Sequence, residues 1–173
     1  MVKKLLSPTG YKTMNKLINI KKAPAEIAQL LYQNTHLMSL ITSEKNSLDW
    51  NTIIANKYIS LCPPLEDGTI TNNRNISLII LLERINMNGQ DSNIIVSGKI
   101  YVNAEMNYLL DNNYNNILLE IVNEICNSID GVKLTSSGQV NVNSINFITY
   151  TPTRCGYSIN FSFTDQNLQQ VEI

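Results

Sequence analysis

Residues 75–102 read NISLIILLERINMNGQDSNIIVSGKIYV, and their pattern decides the fold class. Asn75 to Ile85 is β-rich and almost entirely apolar. Continuous apolarity over that length predicts a central strand covered on both faces. Asn86 to Asp91 follows as a polar break with an Asn-Gly step, the composition of a tight turn. From residue 93 to 102 the period becomes two: Ile94, Val96, Gly98, Ile100 and Val102 alternate with Ile95, Ser97, Lys99 and Tyr101. Such alternation belongs to a half-buried strand, so the stretch predicts an antiparallel hairpin.

C-terminal to the hairpin the period changes to that of a helix. Tyr114, Ile117, Leu118, Ile121, Val122, Ile125 and Ile129 form one apolar stripe. Asp111 or Asn112 can cap its start, and Gly131 suits the position just beyond its end. A second pair of strands follows. Residues 139–150 place Val140, Val142, Ile145, Phe147 and Ile148 among asparagines. Residues 156–164 set Tyr157, Ile159, Phe161 and Phe163 on one side and small polar residues on the other.

N-terminal to the hairpin, Pro24 opens a helix at a position proline favours, and Glu26 complements the dipole of its first turn. Ile27, Leu30, Leu31, Met38 and Ile41 share a face. Asn34 interrupts that stripe and allows a break into two pieces. Residues 44–72 are less regular: Trp50, Ile53 and Ile54 can dock on the core, and Tyr58, Ile59 and Leu61 suit a short strand stopped by Pro63 and Pro64. The expected fold is therefore α+β: an antiparallel sheet of two hairpins with helices packed on it, in the order α-ββ-α-ββ. The expected organisation is a basic arm at 1–22, one domain at 23–165 and a tail at 166–173.

Composition narrows the function. The 173 residues include 25 Asn and 23 Ile, while charged residues make up only 16%, below the roughly 25% usual in soluble domains. A hydrophobic content of 43% is enough to support a core and argues against a disordered chain. No run of 18 apolar residues is present, and Lys3 and Lys4 precede too short an apolar stretch for a signal peptide. Residues 1–22 hold six lysines and no acid, against seven basic and fourteen acidic residues in the remainder. Such an arm suits nucleic acid or an acidic partner, or is a solvated terminal segment. Cys62, Cys126 and Cys155 are odd in number and lack CxxC spacing, so they are expected to be reduced rather than to form a disulfide framework or zinc site.

No catalytic, cofactor or metal motif appears. His36 is the only histidine, and it sits beside Leu37 and Met38 in a helical stretch. A surface or structural role is the simpler account of it. Glu120 and Glu124 lie at i, i+4, the spacing of a paired site but equally of the wet face of an amphipathic helix. The expectation is that the chain is not an enzyme and binds no cofactor.

The layout resembles the small neck and tail-terminator proteins of tailed bacteriophages. The likeness runs from about residue 24 to 165. It is carried by the opening helix Pro24–Ile41, by the proline-containing acidic approach Cys62-Pro63-Pro64-Leu65-Glu66-Asp67, and by the strands Ser77–Ile85 and Asn93–Val102. The helix Asn113–Val132 and the closing strands Gly138–Ile148 and Gly156–Phe161 complete it. It is a likeness of order and texture, and the basic residues common in the second helix of such proteins are replaced here by Glu120 and Glu124. The resemblance implies a structural virion protein made in the host cytoplasm. Identical protomers would form a sixfold or twelvefold ring that joins portal or neck to tail around the DNA channel. Its implied partners are itself, the adjacent portal, neck or tail proteins and the passing DNA, with no membrane and no small molecule. The residues expected at its interfaces are Lys3, Lys4, Lys12, Lys16, Lys21 and Lys22 of the arm and Asn88, Gly89, Gln90 and Asp91 of the hairpin loop. The competing expectation is a small domain that binds a ligand near His36, Glu120 or Glu124, or one that binds nucleic acid through the arm.

Overall fold

A computed structural model describes residues 20–42, 48–61, 76–87, 94–106, 116–135 and 137–165. Three helices come first: α1 (Ala23–Gln33), α2 (Thr35–Thr42) and α3 (Trp50–Ala55). Then come β1 (Ile59–Ser60), β2 (Ser77–Met87), β3 (Ile94–Glu105), α4 (Ile117–Ile129), β4 (Val140–Thr151) and β5 (Arg154–Asp165). The class is α+β: one five-stranded sheet in the order β1-β2-β3-β5-β4, with helices on one face.

The sheet is mixed, not purely antiparallel. β2–β3, β3–β5 and β4–β5 are antiparallel, but β1 runs parallel to β2, pairing Ile59 with Leu78 and Ser60 with Ile79. Local backbone geometry accounts for this. After α3 the chain passes through Lys57 at φ +57° and emerges alongside β2, where the Tyr58 carbonyl accepts from the Leu78 N–H at 2.8 Å. Relative to the expected α-ββ-α-ββ order, α2, α3 and this parallel strand stand between the first helix and the β2–β3 pair. Nor is β2 central. Ser77 to Ile80 are buried, but beyond β1 the strand loses its outer neighbour, and Glu83, Arg84 and Ile85 are exposed. Its apolar run is longer than the part covered on both faces. The interior strands are β3 and β5.

The helix stripes meet the sheet as their spacing requires. Ile27 and Leu31 of α1, Leu37 and Ile41 of α2, and Leu118, Ile121, Ile125 and Ile129 of α4 are all fully buried. They pack over Leu78 and Ile80 of β2, Val96, Ile100 and Val102 of β3, and Ile159, Phe161 and Phe163 of β5. Each such side chain stabilises the fold by roughly 1.5–3 kcal/mol relative to exposure. β3 alternates buried and accessible residues along its whole length, as its sequence indicates.

Asn34 does break the first helical stretch. With ψ at 96° it ends α1, its backbone N–H donating to the Leu31 carbonyl at 3.2 Å, while its side-chain Oδ1 accepts from the Leu37 N–H at 2.9 Å and so begins α2. α4 is capped not from residues 111–112, which lie outside the described residues, but by Asn116, whose Oδ1 accepts from the Leu119 N–H at 3.1 Å. Gly131 follows α4 with φ +76°, the left-handed conformation in which a side chain is strained. Trp50 packs edge-on to Tyr32 with ring centroids 5.3 Å apart, and Ile53 is buried, but Ile54 faces outward.

Candidate interaction site

The expected interface residues are only partly within reach of the structure. Lys3, Lys4, Lys12, Lys16, Asn88, Gly89, Gln90 and Asp91 lie outside the described residues. Lys21 and Lys22 are exposed in the turn that leads into α1.

The residues of the competing expectation are brought together, at the seam where the α1–α2 junction meets α4. His36 Nε2 stands 3.2 Å from Glu120 Oε1. The Asn34 amide donates to Glu124 Oε2 at 3.0 Å and to Ser128 Oγ at 2.9 Å. Glu120, Glu124 and Ser128 are spaced one turn apart and form one polar ridge on α4. The chemistry here is that of helix docking. Asn34 spends both amide hydrogens across the seam and its oxygen on capping α2. The His36–Glu120 pair is about half exposed on both sides, so it contributes little. Among the described residues no group of three or more His, Cys, Asp or Glu is gathered as a metal would require. A shallow depression of about 190 Å³ lies between α1 and residues 132–135, and its Glu26 accepts from the Thr135 N–H at 2.7 Å. That is small beside the roughly 300–1,000 Å³ of ligand pockets.

The far face of the sheet carries a second polar group. Glu83 Oε1 receives Lys99 Nζ at 2.8 Å and the Tyr101 hydroxyl at 3.1 Å. The hydrogen bond to Glu83 raises the Lys99 pKa. Tyr101 meets Tyr150 edge-on at 6.5 Å, and burial pushes the Tyr150 hydroxyl well above its ordinary range. Arg154 Nε donates to Asn103 Oδ1 at 3.0 Å, with Glu105 beyond at 3.9 Å. Burial lowers the Arg154 pKa. Every cation in this group is answered by an oxygen of the same sheet, so the group holds neighbouring strands together.

Among the described residues, the feature left without a strand neighbour is the outer edge of β4. Its sequence, VNVNSINFITYT, contains no charge, no proline and no glycine. At its start the edge is occupied from within the chain. The Val140 N–H donates to the Val132 carbonyl, the Gly131 N–H to the Val140 carbonyl, and the Val142 N–H to Asp130 Oδ1, each at 2.8 Å. A bulge at Asn143 then shifts the register, so that Val140 and Val142 before it and Ile145 and Phe147 after it all point to the helix side. From Asn143 to Thr151 no described strand flanks the outer edge. α4 does not cover this half of the strand. Ile145 is 46% and Phe147 57% exposed, the latter resting edge-on against Tyr157 at 5.4 Å. Such an edge presents unpaired N–H and C=O groups and is a ready template for another strand.

The other free edge is protected. Among the described residues β2 beyond Ile79 also has no outer neighbour, but it carries Glu83 and Arg84, with a bulge at Glu83. Charge and bulging are the usual defences of an edge strand; β4 is bulged too, at Asn143 and Tyr150, so charge is what distinguishes the two edges.

Compared with known proteins, the chain matches no family model and no curated sequence.

Proposed function

We propose that this chain is a structural assembly protein, a component of a homo-oligomeric ring of the kind found in the neck or at the tail end of tailed bacteriophages, joining portal or neck to tail around the DNA channel. The observation that carries the reading is the uncharged free edge of β4, with Ile145 and Phe147 exposed upon it. It supports association through strands rather than chemistry in a pocket. The free edges of β4 and β2 lie on opposite sides of one sheet. An edge of this kind suits head-to-tail contact, in which one protomer offers β4 to a different surface of the next, and such heterologous contacts close into a ring when the rotation closes. Among the described residues, the helices pack on one face, and no strand lies outside β2 beyond Ile79 or outside β4 beyond Asn143.

The test is assembly with the neighbours that the reading requires. The full chain, alone and mixed with the portal and tail-end proteins encoded beside it, is imaged by negative-stain electron microscopy. Rings in the mixture are the expected result, and their loss on Phe147→Lys, which places a charge on the uncharged β4 edge, identifies the contact. A chain that forms no ring with either partner refutes the proposal.

A further inference from the structure

We draw no further inference here: the strongest candidate, the sheet face opposite the helices around Lys99, Tyr101, Tyr150 and Arg154, spends its cations and hydroxyls on oxygens of its own strands, and nothing in the structure shows what covers it.

Discussion

Gly98, at the centre of β3, offers the sharpest test of the packing. It lies opposite Leu82 on one side and Phe161 on the other. A Cβ at this position would stand 2.5 Å from the Leu81 carbonyl oxygen and 2.5 Å from Phe161 Cζ. The Phe161 ring is fully buried and stacks on Phe163 with centroids 6.4 Å apart and planes 12° from parallel. The ring fills the space that the missing side chain leaves. Gly98→Ala must therefore push a buried ring or a backbone carbonyl. Overpacking of this kind costs typically 1–3 kcal/mol. Restricting the unfolded chain returns about 0.4–1 kcal/mol. The net loss is about 1–2 kcal/mol, which at about 2–4 °C per kcal/mol for a chain of this size lowers Tm by roughly 2–8 °C. Urea unfolding followed by Trp50 fluorescence measures it. Phe161→Leu, which shortens the ring, should destabilise on its own but show favourable coupling with Gly98→Ala of at least about 0.5 kcal/mol. A Gly98→Ala variant as stable as the unmodified chain, or strict additivity in the double variant, would refute the account of Phe161 as the occupant of that space.

Three further outcomes follow from particular contacts. Asn34→Ala should lose about 1–2 kcal/mol in urea unfolding, because one side chain caps α2 and bridges to Glu124 and Ser128; a loss below about 0.3 kcal/mol would show that water replaces it. Gly156→Ala should be more damaging than Gly131→Ala, since a Cβ at Gly156 would fall on the Val102 carbonyl whereas one at Gly131 only strains a φ of +76°, and equal melting temperatures would contradict this. Stability should fall above about pH 9: burial raises the pKa of Cys126 and Cys155 above 9.0 and of Tyr101 and Tyr150 above 10.0. The folded state then keeps protons that the unfolded state gives up as pH climbs, so the stabilisation is complete below pH 9 and is lost through the alkaline range; a urea midpoint unchanged between pH 8 and 11 would contradict it.

The candidate edge was half visible in the sequence. The alternation in β4 switches from even positions, Val140 and Val142, to odd ones, Ile145 and Phe147. That parity change is the signature of a bulge, and here the bulge at Asn143 begins the free stretch. The absence of charge in the strand was equally legible. What could not be read was that β4 ends up at the rim. The antiparallel partners β4 and β5 are adjacent in sequence, but it is β5 that pairs with β3, and only that pairing leaves β4 outside. The polar ridge on α4 shows the same limit. Glu120 and Glu124 looked like a wet helix face, and their meeting with Asn34 and His36 depends on how the α1–α2 break docks against that helix.

By itself the sequence determined the α+β class, the helix faces, the break at Asn34, the glycine after α4 and the alternation of β3 and β5. These follow from local periodicity and from the conformational preferences of single residues. The tertiary structure decided the parallel β1, the displacement of β2 from the centre of the sheet and the position of β4 at the rim. Strand order depends on contacts between segments far apart in the chain, and the period of two along a strand specifies its faces but not its neighbours.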